Sequence, residues 1–304
     1  MSYSYYIIDA FTESAFGGVP VAVFPDTVNI PESRFATLAD EMVASDTAFI
    51  SQGHADGQFQ VRAFHKGKEV SPGAHTLIAS VEGLLKTGQV PLTDEKATLT
   101  LGSQEESITV FVDLNQKKHP ILLHQTVSTH IDHYVPSVAE VASIIGLEES
   151  DIAKTRYSTL IVSSGKPYLI VPLMSYHAVR EATFQQRDWA RTSLPQSLVD
   201  SILLFAPNTD SLGDDFHARL LEQNAGHADP AIGEAMPAFA AYLCQQSHVQ
   251  LGRHAFSVRR GANNKRQSHI HMEMDNTGEE KFKLRIGGSA IATSSAELLF
   301  DLSA

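Results

Sequence analysis

The stretch "SPGAHTLIAS" (71–80) sets Gly73, Ala74 and His75 at the entrance to an apolar run, and its reading decides the fold. Gly73 follows Pro72 and opens a helical segment, "GAHTLIASVEGLL", in which Ala79 and Ser80 supply small side chains. Such a helix can sit close to a sheet or to another helix. A second segment of the same kind starts at Gly233, "GEAMPAFAAYL", with Ala235, Ala238, Ala240 and Ala241. A helix N-terminus carries free N–H groups and about half a positive charge, so two facing ones make a carboxylate cradle. Two buried central helices with no ligand produce the same pattern.

Outward from these segments the chain is strand-rich. Runs at 5–11, 19–24, 47–51, 59–64, 97–101 and 107–113 are short, rich in β-branched or aromatic residues, and bounded by Gly, Pro, Asp or Ser. Between them "PESRFATLADEMV" (31–43) places Phe35, Leu38 and Met42 on one helical face behind Pro31. Strands in runs beside a few helices predict an α+β fold rather than a doubly wound sheet.

The order also repeats. Gly18-Val19-Pro20 leads into "VAVF" and Gly165-Lys166-Pro167 into "YLIVPL"; Phe59 and Arg62 are spaced as Phe216 and Arg219 are; then come Gly73 and Gly233. The pattern predicts two related halves, 1–126 and 127–304, joined near the polar stretch 122–137, with the last strand belonging to the second half or returning to the first.

At 304 residues the chain is long enough for two cores, and 43% hydrophobic with 19% charged residues is a globular composition. A formal charge of −12 argues against nucleic acid and anionic membranes as partners. The densest basic run, Arg259-Arg260 to Lys265-Arg266, reads as a solvated loop. One cysteine, Cys244, excludes a disulfide framework and any mechanism that needs two facing thiols, and fits a reducing cytoplasm. The N-terminus has no basic n-region, and no run of 18 apolar residues occurs, so a soluble cytoplasmic protein is expected.

The segments "YYIIDAFTESAFGGVPVAVF", "DEMVASDTAFI", "SPGAHTLIAS", "ADPAIGEAMPAFAAYL", "LGR" and "RIGGSAI" follow one another as do the motifs of the PhzF-like family. The resemblance runs from residue 5 to about residue 292. It implies the diaminopimelate-epimerase-like fold: two pseudo-symmetric domains, each a curved sheet around a central helix, with the active site in the cleft between them. It further implies an isomerase that moves a proton between carbons of a small molecule through a glutamate, without metal or organic cofactor. A histidine, an aspartate and helix-start N–H groups assist, and the family commonly forms homodimers.

Carried over residue by residue, the resemblance is uneven. The family's glutamate falls on Asp46, behind Ser45, which sets the carboxylate one methylene further back; either Asp46 is the general base or it terminates a strand. The family's histidine position holds Ala74, and His75 is its neighbour, turned by roughly 100° on a helix. His75 either recovers the site or packs beside the helix start. In the second motif Asp229, Pro230 and Gly233 remain, while Ile232 replaces a threonine and Glu234 a serine; Val19 replaces an asparagine in the Gly-x-Pro element. The expected site is therefore Asp46, His75 and Asp229 for catalysis, with Ser45, Gly73, Ala74, Gly233 and Glu234 on the substrate. Two functions fit: a proton-transfer isomerase or epimerase with an altered, amine-bearing or neutral substrate, or a binding protein that keeps the fold and has lost catalysis.

Other chemistry is disfavoured. "HIHMEMD" (269–275) alternates His269, His271, Glu273 and Asp275 with apolar residues and reads as a half-buried strand, and His130-x-x-His133 offers no third ligand at fixed spacing, so no metal is expected. Phosphate-loop, GxGxxG and Gly-x-Ser-x-Gly patterns are absent. Cys244, inside "AFAAYLC", reads as packing.

Overall fold

The computed structural model describes residues 3–53, 55–91, 96–102, 107–115, 120–207, 213–223, 229–262 and 265–299. In chain order the elements begin with β1 (Tyr3–Ala10), β2 (Val19–Phe24), α1 (Phe35–Glu41), β3 (Asp46–Gln52), β4 (Gln58–His65), β5 (Lys68–Val70) and α2 (Ala74–Lys86). Next are β6 (Lys96–Gly102), β7 (Ser107–Asp113), β8 (Ile121–Ser128), β9 (His130–Asp132), α3 (Val138–Ile145), β10 (Leu160–Ser164) and β11 (Lys166–Pro172). The remainder are α4 (Tyr176–Glu181), α5 (Gln186–Trp189), β12 (Ser201–Pro207), β13 (Phe216–Glu222), α6 (Met236–Cys244), β14 (Gly252–Arg260), β15 (Ser268–Asn276), β16 (Lys281–Gly288) and β17 (Ala290–Leu298). The chain forms two compact units: Met1–Gln125 with Asn263–Ile270 and Arg285–Ala304, and Thr126–Ala262 with His271–Leu284.

In the first unit β1 lies between β2 and β17, antiparallel to both, with Ile8 opposite Val21 on one side and Ala292 on the other. The alternating and continuous apolar runs of β1, β2 and β3 suit a sheet covered on both faces. β2 runs parallel to β3, Val21 opposite Asp46, through a crossover that contains α1. β3 pairs antiparallel with β4, Thr47 opposite Phe64, and β4 runs parallel to β6 through a second crossover that contains α2. Every residue of α2 from Ala74 to Leu84 is buried, and the helix packs against β1, β2, β3, β4 and β17. A helix buried on all sides is a central helix rather than a surface one. Its close seat depends on Gly83, where a Cβ would come within 2.7 Å of Val23 Cγ1. The polar residues carried inside are satisfied locally: Ser80 Oγ donates to the Thr76 carbonyl at 2.8 Å, and Glu82 pairs with Lys86 at 3.2 Å.

The second unit repeats this plan. β10 is antiparallel to β11, β11 parallel to β12, β12 antiparallel to β13, and β13 parallel to β14. The two parallel links again carry helices, α4 with α5 in one and α6 in the other. Even the register corresponds: Tyr168 opposite Ser201 matches Val21 opposite Asp46, and Leu204 opposite Arg219 matches Phe49 opposite Arg62. α6 packs on β10 and β11, with Met236 and Ala238 to Leu243 buried. α3 has a full set of end signals: a Ser137–Glu140 capping box at its start and Gly146, at φ 68°, just past its end. The fold is α+β, with two pseudo-symmetric units, each built around a central helix.

Several sequence expectations are corrected. Gly233 does not open the second helix directly; Gly233–Ala235 form a single 3-10 turn and α6 begins at Met236, because Pro237 suits only a first helical turn. The helix expected over 31–43 is a 3-10 turn at Glu32–Arg34 followed by α1, which ends at Glu41. Arg259 and Arg260 are not in a solvated loop: they close β14 and are buried, Arg259 beside Asp214 at 3.3 Å. Burial of these cations is tolerated because each meets an acceptor or an acid. Arg266 pairs with the fully buried Asp9 at 2.7 Å, and Asn263 and Asn264 lie outside the described residues. "HIHMEMD" does alternate as a strand, with Ile270, Met272 and Met274 buried in β15.

Candidate functional site

Asp46 is the first residue of β3, and its carboxylate is buried at the start of α2. Its Oδ2 lies 2.8 Å from His75 Nε2 and accepts the Thr76 hydroxyl at 2.9 Å. Its Oδ1 lies 2.9 Å from His65 Nδ1. His75 and Thr76 are the second and third residues of α2, so the carboxylate also faces the positive end of that helix. Gly73 caps α2 in an extended conformation with no side-chain cap, which leaves the approach to these residues unobstructed by a side chain of its own.

Burial by itself raises the Asp46 pKa, but the hydrogen bond and charge of His75, followed by the bonds from His65 and Thr76, outweigh it and hold the carboxyl well below the usual carboxylate range. Asp46 is therefore ionised and, as an acceptor only, takes hydrogens from all three partners. His75 must present Nε2–H to it. The Nδ1 of His75 is buried and has no hydrogen-bond partner among the described residues.

Ser45 joins this group through its backbone: its carbonyl lies 3.0 Å from His65 Nδ1, and its N–H donates to the Pro20 carbonyl at 2.9 Å. Ala74 is buried as the first residue of α2. The structure thus brings together Asp46, His75, Ser45, Gly73 and Ala74 in the first unit.

Asp229 has a different setting, in the second unit. Its Oδ2 pairs with Arg180 at 2.7 Å, and Arg260 approaches Oδ1 at 3.8 Å while donating to the carbonyls of Asp229 and Pro230. Nearby, buried Arg219 donates from one nitrogen to the carbonyls of Val179, Arg180 and Ala182, closing the end of α4. Burial, then the charge of Arg180, lowers the Arg219 pKa, with Asp229 opposing. Gly233 is buried in its 3-10 turn and Glu234 is exposed beside it. Burial, then the carboxylates of Glu234, Asp200 and Glu222, pushes the Tyr168 phenol up.

Sequence reasoning missed His65 and Thr76. The signal for His65 was present: in the β3–β4 register it lies one step beyond the Thr47–Phe64 pair, which sets it against Asp46. The turn Lys66-Gly67, both at positive φ (48° and 70°), is the two-residue hairpin that fixes His65 opposite Lys68. No group of three His, Cys, Asp or Glu side chains with metal-holding geometry occurs among the described residues.

The fold, with its duplicated strand order and central helices, is of the diaminopimelate-epimerase type. The match to the family model described as "Phenazine biosynthesis-like protein" covers residues 8–296. The chain belongs to this PhzF-like family. Over 97% of its length it is 22% identical to an uncharacterized isomerase of Pasteurella multocida, of which it covers 94%. It is also 22% identical to the trans-2,3-dihydro-3-hydroxyanthranilate isomerase of Pseudomonas aeruginosa, over 95% of this chain and 96% of that protein. Among solved structures, a Bacillus anthracis phenazine biosynthesis protein of the PhzF family superimposes with a TM-score of 0.85 at 20% identity, covering 99% of this chain and 100% of that one. A hydroxyproline epimerase from Agrobacterium vitis superimposes with a TM-score of 0.63 at 12% identity, covering 99% and 92%.

Proposed function

We propose that this protein is a proton-transfer isomerase or epimerase acting on a small carbon acid, with its acid–base centre in the histidine cluster around Asp46 and no need of metal or organic cofactor. The observation that carries this reading is the buried, ionised Asp46 carboxylate bonded to His75 at 2.8 Å at the start of the central helix. A carboxylate and an imidazole so coupled can take and return a proton without any external electron acceptor. The names of relatives, which are isomerases, support the same class. The motif match alone assigns substrate contact to Ser45, Gly73, Ala74, Gly233 and Glu234 and a catalytic part to Asp229. Glu234 favours an amine-bearing or neutral substrate over an anthranilate-like acid, so the named phenazine step is the least favoured activity. A cytoplasmic homodimer is part of the proposal.

A second reading, a small-molecule binding protein on the same fold, is favoured by Ala74 at the family's histidine position and by the weak basicity of so stabilised a carboxylate. Incubation with a panel of small amino and hydroxy acids in D2O separates the two. Solvent deuterium entering a carbon position, and its loss in Asp46→Asn, is the expected result. No exchange with any compound, accompanied by ligand-dependent rises in Tm, replaces the first reading by the second.

A further inference from the structure

We infer that His65, which no motif of the family marks, is the group that takes the substrate proton, with Asp46 holding its ring in place; this rests on the isomerase reading above. His65 Nδ1 lies 2.9 Å from Asp46 Oδ1 and 3.0 Å from the Ser45 carbonyl. A carbonyl and an ionised carboxylate can only accept, so Nδ1 must carry the hydrogen that both share. In the neutral ring the lone pair then belongs to Nε2. That nitrogen has no partner among the described residues, and the His65 side chain is 48% exposed.

The other two members of the group are poorly placed for the same task. Both Asp46 oxygens are occupied by donors, and its side chain is only 9% exposed. His75 is 7% exposed, commits Nε2 to Asp46, and has its other nitrogen buried. Only His65 combines an oriented lone pair with access. The buried carboxylate behind it fixes the tautomer and stabilises the imidazolium once formed, as the aspartate of a catalytic triad does for its histidine.

The step balances within the substrate. His65 Nε2 forms a bond to the substrate hydrogen as the C–H bond breaks, and the electron pair stays on the substrate as a carbanion or enolate. The proton on Nε2, which exchanges with solvent at the exposed ring, is then delivered to another carbon on the same face of the substrate, and the ring is neutral again. Nothing is oxidised or reduced overall. Asp46 and His75 are positioning residues in this scheme.

The test uses the full chain labelled with ¹⁵N-histidine and the D2O exchange panel. Long-range ¹H–¹⁵N correlation on the free protein is expected to show His65 as the Nδ1–H tautomer, reverting toward the usual Nε2–H form in Asp46→Asn. His65→Ala is expected to cut exchange at least 100-fold while the protein stays folded, and added imidazole is expected to restore part of it, which a merely structural role would not allow. Exchange at the wild-type rate in His65→Ala, an Nε2–H tautomer in the wild type, or loss of exchange that imidazole fails to rescue overturns the role of His65 alone. Absence of exchange in the wild type with every compound overturns the isomerase reading, and the role of His65 with it.

Discussion

At the first position of β3 the first unit has Asp46, and at the matching position of β12 the second has Ser201. Both are buried and both open a strand that runs parallel to its predecessor. Asp46 gathers His65, His75 and Thr76, whereas among the described residues the Ser201 hydroxyl bonds only its neighbour Asp200, at 2.7 Å. The next strand differs in the same sense: the residue three beyond Arg62 is His65, and the residue three beyond Arg219 is Glu222. The helix then completes the contrast, since α2 starts directly after its cap Gly73 and delivers His75 and Thr76 to the carboxylate, while the second unit inserts a 3-10 turn before α6. One duplicated frame therefore holds a carboxylate bonded to two histidines and a threonine in one copy and a buried serine in the other.

The matching arginines have diverged as well. Arg62 is partly exposed, forked onto Glu69 at 2.7 and 2.8 Å, and lies over the rings of Phe35 and Phe64. Arg219 is buried and ties off three carbonyls at the end of α4. The first is a surface clamp; the second satisfies the carbonyls of a buried helix end.

The sharpest way to break the comparison is at the paired strand starts. Asp46→Asn removes the charge that orients the histidines and is expected to lower exchange activity by about 10³–10⁴-fold, whereas Ser201→Ala is expected to leave it within about twofold; single-turnover deuterium exchange reads both. Next in size, Arg219→Met strands buried carbonyls and is expected to cost about 2–4 kcal/mol, against about 1 kcal/mol or less for Arg62→Met, as measured by urea unfolding. Gly83→Ala is expected to cost about 1–3 kcal/mol, because the new methyl must displace Val23 where α2 meets β2; the same unfolding curves check it.

The smallest effect is in pH. The Asp46 carboxyl is held below its ordinary value, so its contribution to stability is fully present above about pH 4 and is lost as pH falls from there through the folded-state pKa. The Tm difference between wild type and Asp46→Asn is expected to shrink below about pH 4, while that for Ser201→Ala stays flat over the same range. A flat difference for both would remove the charge from the account of Asp46.

Much of this frame was legible before any coordinates. The short β-rich runs and the Gly-x-Pro, Phe-x-x-Arg and glycine-opened segments mark a duplicated plan because each sits at a strand start, strand pair or helix start that backbone geometry restricts. The pairing of Asp46 with His75 was legible only as adjacency to a family pattern; His75 meets the carboxylate from the second position of α2, a helix seated by packing against five strands, which no local pattern encodes. His65 escaped because its partner is 19 residues away in sequence and the link is a hairpin register. Arg259 and Arg260 misled for the opposite reason: a basic run looks solvated until the acid that meets it, Asp214 or Asp229, is known.

The pairing of β1 with β17 has a consequence for the order in which the chain is made. Residues 3–10 leave the ribosome long before one of their two strand partners, residues 290–298. The stretch assigned to the second unit, Thr126–Ala262 with His271–Leu284, is complete before that partner emerges. The first unit is thus begun before the second and closed after it, and during synthesis β1 presents an open hydrogen-bonding edge until β17 emerges. Truncation inside 290–298 therefore unpairs residues 3–10 as surely as it shortens β17.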